Sequence, residues 1–454
     1  MGNISSKLIR NLFLSSSSTE ETTTLYSQVF IDSRVHTNNG LFVPIVGERF
    51  DGHDFIKSAI DNGAVGALWG KEHKVPNDLP ASFQLYFVDD TLTALQQLAK
   101  AYVKEVNPVV IGITGSNGKT STKDIVESVL ATKYSTHKTK GNYNNHIGLP
   151  LTILSMGQQC EVLILEMGMN HFGEISLLSK IAEPDYAIVT NIGESHIEHL
   201  GSREGIAKAK MEIVDGLKEG GKVYLDGDEP LLHSYHTNYA VCCGYEATND
   251  VVITSYSGDE NGFEFQLNNK TSYNLPLLGK HNVKNASYVI ALAEELKLDE
   301  KLIKKGLSKV QLTNMRLERR KGYNDSLLIN DAYNASPTSM VAAIESIKEL
   351  HDYSKRILVL GDMYELGQDE EKLHRSIAKV IHEPITHLIT VGDKGNWIGD
   401  ELQKQTVNTM VVHSIITKEE VSKYIKPLLN STTVVLFKAS RGVKLETVVD
   451  ELTQ

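Results

Sequence analysis

Apolar residues along this chain fall into short unbroken runs set between longer stretches of helical spacing, the pattern of buried strands joined by crossover helices. Up to about residue 106, the runs at 41–43 and 85–88 read as strands and 91–103 as a helix. Gly47, Gly52, Gly63, Gly66 and Gly70 punctuate this part, and a small α/β unit is expected. A second part opens at Asn107-Pro108 with a strand over 109–113, a glycine-rich loop and a helix from about Lys119. Strands follow at 162–165 and 187–189, strand-like alternation covers 251–278, and a helix is expected over 281–296. The third part starts near Arg316, with strands at 327–329, 357–360, 388–391 and 434–437 alternating with helices. Ser336-Pro337 is a cap followed by proline, and Met340, Ile344 and Ile347 share one helical face behind it. The fold expected is α/β in three domains (1–106, 107–314 and 315–454): a central parallel sheet behind the glycine loop, and a Rossmann-like, doubly wound C-terminal domain.

Composition narrows the function. The chain has 454 residues, 41% of them hydrophobic and 23% charged, as in a soluble globular protein. A net charge of −11 argues against a general binder of nucleic acid or anionic membrane, while leaving room for local cationic pockets. Cys160, Cys242 and Cys243 form neither a disulfide framework nor a zinc spacing, which fits a reducing cytoplasm. No run approaches the ~20 apolar residues of a membrane span, and the stretch 8–14 is too short and interrupted for a secretory signal. Met1-Gly2 with Ser6 matches the loose myristoylation pattern, for which chance is the expected explanation. A polar Ser/Thr-rich stretch occupies 15–24.

The candidate chemistry begins at Thr114-Gly115-Ser116-Asn117-Gly118-Lys119-Thr120. A glycine-rich turn between a buried strand and a helix aims backbone N–H groups at one point, which suits phosphate. Lys119 can neutralise terminal phosphate oxygens and Thr120 can offer a hydroxyl to Mg²⁺. The spacing departs from the common Walker form, because Ile113 stands where that form has its first glycine.

Glu166 closes the strand at 162–165, and His196 follows the strand at 187–189, both at edges where α/β sheets bind ligands. Beside a phosphate loop, Glu166 is a candidate Mg²⁺ ligand. On a helix expected over 202–217, Lys208 has Glu204 and Glu212 four residues away on either side, a charge-paired solvent face. Lys210 instead has Ile206, Ala207, Ile213 and Val214 at helical spacings, which puts it on the apolar side. There it either snorkels to a rim or sits desolvated as a neutral amine able to take up CO₂ as a carbamate.

Together, 114–120, Glu166-Met167-Gly168, 191–196, 207–210, 279–285 and Met315-Arg316-Leu317-Glu318 resemble the ATP-dependent Mur ligases of bacterial peptidoglycan synthesis. The resemblance runs in order from about Phe30 to Leu445. Asp32-Ser33-Arg34, 41–44, 141–150, 330–337 and 361–367 resemble those members that accept a dipeptide, and the Asp-Asn-Pro-Arg of a sister ligase is absent.

The resemblance implies an N-terminal domain for a UDP substrate, a central ATPase domain and a C-terminal domain for an amino substrate. It implies UDP-N-acetylmuramoyl-tripeptide and D-alanyl-D-alanine as partners, with lysine or diaminopimelate as the third residue, in a cytoplasmic monomer. Thr114, Gly115, Ser116, Asn117, Gly118, Lys119, Thr120 and Ser121 would hold the ATP phosphates, Asn282 and Asn285 the adenine, and Arg316 and Asp331 the phosphates and ribose. Thr120 and Glu166 would hold one Mg²⁺; Glu166, His196 and a CO₂-derived carbamate on Lys210 would hold a second. Lys119, Glu166, His196 and Lys210 form the implied catalytic set. Ser33, Arg34, Asn142, Asn144 and Asn145 would meet the UDP-sugar peptide, and Tyr333, Asn334, Ser440 and Arg441 the substrates in the third domain, where Ala439 replaces a usual glycine. The implied reaction passes through an acyl phosphate on the tripeptide. The alternatives are another acid–amino-acid ligase of the folylpolyglutamate synthase type and a non-catalytic nucleotide-binding module.

Overall fold

The computed structural model describes residues 4–13, 23–404, 411–415 and 417–453. Gly2 of the myristoylation pattern and most of the polar stretch at 15–24 lie outside the described residues. Among the described residues no helix is long and apolar enough to cross a membrane.

The first domain is a four-stranded parallel sheet in the order β1 (Gln28–Phe30), β2 (Gly40–Phe42), β3 (Ala64–Gly70) and β4 (Gln84–Val88). Helix α1 (Thr91–Val106) leaves it, capped by the Asp90 carboxylate accepting from Thr93 N at 2.7 Å. Asn107 ends it in a left-handed turn with φ 52°. Leu95, Leu98 and Tyr102 on its inner face join an apolar cluster that continues into Leu149, Ile153, Leu163 and Leu165. The first two domains therefore share one core, since a helix with a wide apolar stripe must bury it against something.

The central sheet is built on β5 (Val109–Thr114), β6 (Thr136–Lys138), β7 (Val162–Glu166), β8 (Tyr186–Val189), β9 (Lys222–Asp226), β10 (Ala240–Gly244), β11 (Val251–Asp259), β12 (Gly262–Leu267) and β13 (Ser272–Leu275). Their spatial order is β13-β12-β11-β10-β9-β8-β5-β7-β6. Pairing is parallel from β6 to β11 and antiparallel from β11 to β13, so the sheet is mixed. Along β7, Leu163 and Leu165 face one apolar cluster while Val162 and Ile164 face another. This two-residue alternation explains the unbroken apolar run, because both faces are covered.

The third domain has a six-stranded sheet of β14 (Glu318–Lys321), β15 (Leu327–Asn330), β16 (Lys355–Gly361), β17 (His387–Val391), β18 (Val411–Ile415) and β19 (Thr433–Lys438). The order is β14-β15-β19-β16-β17-β18, parallel except for the β14 edge. Helix Pro337–Lys348 starts at Ser336, with reciprocal Ser336 and Ser339 capping, and buries Met340, Ile344 and Ile347. Seven of these strands escape the sequence reading: β1, β3, β6, β9, β10, β14 and β18. β14 is Glu-Arg-Arg-Lys, an exposed edge whose pairing comes from its neighbour rather than from burial. The helix expected over 202–217 is Arg203–Met211, after which Glu212–Gly216 tightens into a 3₁₀ turn.

Candidate active site

Strand β5 lies between β7 and β8, so its C-terminal loop emerges where the strand order reverses, the crevice in which open α/β sheets bind ligands. Gly115 has φ 148°, and a Cβ there would lie 1.8 Å from Thr190 Oγ1. Gly118 has φ 82° and starts helix Lys119–Leu130. The loop interlocks with the one after β8. Ser116 N donates to Asn191 O at 3.1 Å, Asn117 N to Asn191 Oδ1 at 3.0 Å, and Gly193 N to Ser116 Oγ at 2.9 Å. Lys119 folds back over the turn and donates to Gly115 O at 2.8 Å. Burial lowers its pKa and the nearby Glu166 charge opposes that shift. Thr120 and Ser121 lie in the first turn of the helix, where free amides favour an anion.

Glu166 closes β7, and three neighbours fix it. Oε2 accepts from Thr120 Oγ1 at 3.0 Å, Oε1 from Asn144 Nδ2 at 2.8 Å, and its own N–H donates to Thr139 Oγ1 at 3.0 Å. Buried Lys123 places Nζ 3.9 Å from Oε2. Sequence reasoning passed over Lys123, although it falls one helical turn after Lys119 on the same face. Lys210 is only 2% exposed, and its side chain makes no hydrogen bond or ion pair among the described residues. Burial first, and Lys119 second, push its pKa well below the ordinary lysine value. Lys210 is thus almost wholly buried, whereas Lys208 faces solvent.

His196 takes a left-handed conformation with φ 64°. Its Nδ1 lies 2.6 Å from Glu365 Oε2 of the third domain, but off the N–H direction, so the contact is an ionic approach rather than a directed hydrogen bond. Proximity to His196 holds the Glu365 carboxyl below its usual value. Hydroxyl and carboxylate oxygens at Thr120 and Glu166 are the hard donors that Mg²⁺ takes. As an ammonium Lys210 would repel such an ion; its unpartnered, desolvated state fits a neutral amine instead.

A cavity of about 520 Å³ separates the second and third domains and is lined by Asn117, Asn285, Arg316, Asp331, Asn334 and Lys438 among others. Asn282 and Asn285 are tied to each other at 3.1 Å, and Asn282 also donates to Leu278 O at 2.8 Å. Lys280 Nζ sits 4.4 Å from the ring centres of both Tyr245 and Tyr256 on the cavity wall, and burial pushes the neighbouring His281 down to about 4. None of these four was singled out from sequence; His281 and Lys280 lay inside a quoted motif, whereas the tyrosines gave no local signal.

Arg316 joins the two domains at the cleft. Its Nη2 reaches Thr120 Oγ1 at 3.4 Å while its Cζ lies 4.3 Å from the Tyr333 ring centre. Arg441 Cζ lies 5.8 Å from the centre of the same Tyr333 ring, and its Nη1 pairs with Glu446 at 3.2 Å. Asp331 spends Oδ2 on Lys438 Nζ at 2.5 Å and Oδ1 on Leu317 N at 3.2 Å. Lys438 also donates to Asn334 O at 3.2 Å. Ser440 Oγ accepts from Tyr364 N at 2.9 Å.

The residues expected at a UDP substrate divide. Asn144 reaches Glu166, whereas Asn145 uses Oδ1 to accept from Gly148 N at 2.8 Å, holding the start of helix Gly148–Leu154. Asn142 is exposed, with its carbonyl accepting from Asn144 N at 2.8 Å. In the first domain, Ser33 O accepts from Asn62 Nδ2 at 2.9 Å, and exposed Arg34 grips Asp32 through two 2.8 Å bonds that pull this carboxyl down to about 2.

Asp51, His53 and His73 also gather, with ligand-type atoms within 4.8 Å of one another. His53 Nε2 accepts from Gly70 N at 3.2 Å, which fixes its proton on Nδ1, where Asp51 Oδ1 accepts it at 2.6 Å. A metal on Nδ1 would move that proton to Nε2, against the Gly70 N–H. The trio is a hydrogen-bonded brace between loop and strand.

Three family models cover almost the whole chain: "Mur ligase family, catalytic domain" over 25–103, "Mur ligase middle domain" over 113–293 and "Mur ligase, glutamate ligase domain" over 315–441. The chain therefore belongs to the Mur ligase family of ATP-dependent ligases. It is 46% identical over 433 residues to the UDP-N-acetylmuramoyl-tripeptide–D-alanyl-D-alanine ligase of Bacillus subtilis (strain 168), covering 95% of this chain and 94% of that one. The fold is similar to MurF from Acinetobacter baumannii, with TM-score 0.87, 28% identity, and coverage of 99% and 98%. It is also similar to the MurF ligase from Thermotoga maritima in complex with ADP, with TM-score 0.81, 28% identity, and coverage of 93% and 96%.

Proposed function

We propose that this enzyme uses ATP to join D-alanyl-D-alanine to the terminal carboxylate of UDP-N-acetylmuramoyl-tripeptide. The observation that carries the reading is Arg316 spanning the cleft, from Thr120 on the nucleotide loop to Tyr333 in the third domain. Full-length similarity to ligases of that name supports the substrate pair. Both a UDP-linked precursor and ATP are cytoplasmic compounds, and the reading is of a cytoplasmic monomer.

The tripeptide carboxylate attacks the γ-phosphorus of ATP, giving an acyl phosphate and ADP. The dipeptide amine then attacks the acyl carbon, and phosphate leaves. Two anions must approach each other in the first step, so the barrier is chiefly electrostatic. Lys119 lies over the phosphate loop and Arg316 faces it from the linker, and both are positioned to balance charge on the transferred group. Thr120 and Glu166 would hold Mg²⁺, with Glu166, His196 and a carbamate on Lys210 holding a second ion; the metal would screen charge on the phosphates. Asn144 and Thr139 keep Glu166 in place. Ser33, Arg34, Asn142 and Asn144 would address the UDP substrate, while Tyr333, Asn334, Ser440 and Arg441 would line the amine side. Closure of the cleft would bring the two halves together and exclude water.

Release of ADP with UDP-tripeptide and D-alanyl-D-alanine tests the reading, run with lysine and with diaminopimelate tripeptides. Turnover that requires the dipeptide is expected. ADP release indifferent to the dipeptide would remove the assignment.

A further inference from the structure

The linker between the second and third domains is held by three carboxylates at alternate amides. Thr313 donates through N at 2.8 Å and Oγ1 at 2.9 Å to Asp124 Oδ2. Met315 N donates to Glu318 Oε2 at 2.9 Å, and Leu317 N to Asp331 Oδ1 at 3.2 Å. Met315 and Leu317 have φ of 63° and 47°. Non-glycine residues hold such left-handed conformations only where their surroundings fix them. The residue between them is Arg316, so the strained backbone and its three anchors set the direction of that guanidinium.

Asp124 differs from the other two anchors because it belongs to the helix that starts at the phosphate loop, Lys119–Leu130. It is 2% exposed. While Oδ2 takes the linker, Oδ1 lies 2.9 Å from Lys138 Nζ and 3.8 Å from Lys123 Nζ. Lys123 is in turn 3.9 Å from Glu166 Oε2. A row of alternating charges therefore runs from Glu166 through Lys123 to Asp124 and ends on Thr313.

We infer that Asp124 is a positioning residue: it fixes the linker to the nucleotide-loop helix so that Arg316 addresses the loop. The inference rests on the ligase reading for its kinetic readout only. A full carboxylate suits the place, since it satisfies two lysines on one oxygen and two donors on the other, whereas a neutral amide would lose the charge that holds Lys123 and Lys138.

The test uses Asp124→Asn, Thr313→Val and the double variant in the full chain. Thr313 is exposed, so its substitution leaves the core intact. In each, kcat for ADP release is expected to fall about tenfold or more, as misplacement of a charge-balancing group does. Affinity for ATP, read with a fluorescent analogue, is expected to change less than about threefold, because the loop itself is untouched. Losses in the double variant should be less than multiplicative, since both changes weaken the Asp124–Thr313 contact, of which Thr313→Val removes the hydroxyl bond and keeps the amide bond. Without substrates, amide exchange at residues 313–317 should quicken about tenfold in both single variants, with no change at 119–130. Wild-type kcat in Thr313→Val, multiplicative losses in the double variant, or unchanged exchange at 313–317 would each overturn the inference. If Asp124→Asn does not fold, Thr313→Val decides by both readouts. If the wild-type enzyme shows no dipeptide-dependent turnover, the ligase reading falls, and the exchange experiment alone decides whether the linker is anchored through Asp124.

Discussion

The hydroxyl of Thr120 donates to Glu166 across 3.0 Å, joining the first turn of the nucleotide-loop helix to the end of the neighbouring strand. The two side chains are 46 residues apart in sequence and come from different elements. Their meeting marks where a cation beside the phosphates would sit. Glu166→Gln keeps the shape and most of the hydrogen bonds but removes the charge. It is expected to lower kcat by about two orders of magnitude, in the range of removing one electrostatic stabiliser, and to raise the Mg²⁺ concentration needed for half-maximal ADP release. A magnesium titration of Glu166→Gln against wild type gives both numbers; equal magnesium requirements would detach Glu166 from the metal.

Lys210 makes a prediction on activity. Lys210→Ala should lose about a hundredfold or more in kcat and recover part of it with added short carboxylates such as formate or acetate. Lys208→Ala, on the solvent face, should stay within about twofold, as exposed substitutions usually do. Equal, mild effects of the two changes would return Lys210 to a packing role.

The same residue makes a second prediction, on stability. Its folded pKa lies well below the unfolded value of 10.5. Between those two values the unfolded chain binds the extra proton, so stability rises with pH across that window. Below the folded pKa both states are protonated and the dependence vanishes. Lys210→Met cannot bind that proton, so the slope between the folded pKa and 10.5 should flatten. At neutral pH its melting temperature should exceed that of wild-type protein freed of CO₂. Thermal melts across pH 7–11 check this, and an unchanged slope would place the titrating group elsewhere.

Tyr333 supports Arg316 with its ring face, 4.3 Å from Cζ. Tyr333→Ala should reduce kcat/KM for ATP about threefold to thirtyfold, the span of a cation–π contact from exposed to desolvated. Tyr333→Phe retains the ring and should remain near wild type. Comparable losses in both variants would assign the tyrosine's role to its hydroxyl.

Asp331 and Lys438 form a buried ion pair at 2.5 Å. Asp331→Ala leaves a buried ammonium without its partner, and a loss of about 3 kcal/mol is expected. Replacing both, as Asp331→Leu with Lys438→Met, should recover much of that loss. Denaturant unfolding of the third-domain signal measures both. A double variant as unstable as Asp331→Ala would show that Asp331 matters through the Leu317 amide instead.

Much of the fold was legible because burial writes a local period. β7 and β16 read as strands from their apolar runs, with both faces of each covered in the structure. The helix after Ser336 read from its cap, its proline and its apolar face. β9 and β10 did not stand out, because their short segments mix charged, aromatic and cysteine residues. Lys210 could be placed on an apolar face because Ile206, Ala207, Ile213 and Val214 are its helical neighbours.

The sequence by itself therefore determined the glycine loop between β5 and its helix, the elements that carry it and the side on which Lys210 lies. These follow from glycine placement and from residue spacing within single elements, where neighbours in space are neighbours in sequence. Only the tertiary structure decided that Glu166 faces Thr120, that Arg316 rests on Tyr333, and that Asp124 holds Thr313 across 189 positions of chain. Those contacts depend on strand order, which sets β5 between β7 and β8, and on how the third domain closes over the second. Local periodicity carries no information about either, so the loop could be read from the chain, but the charges that surround it could not.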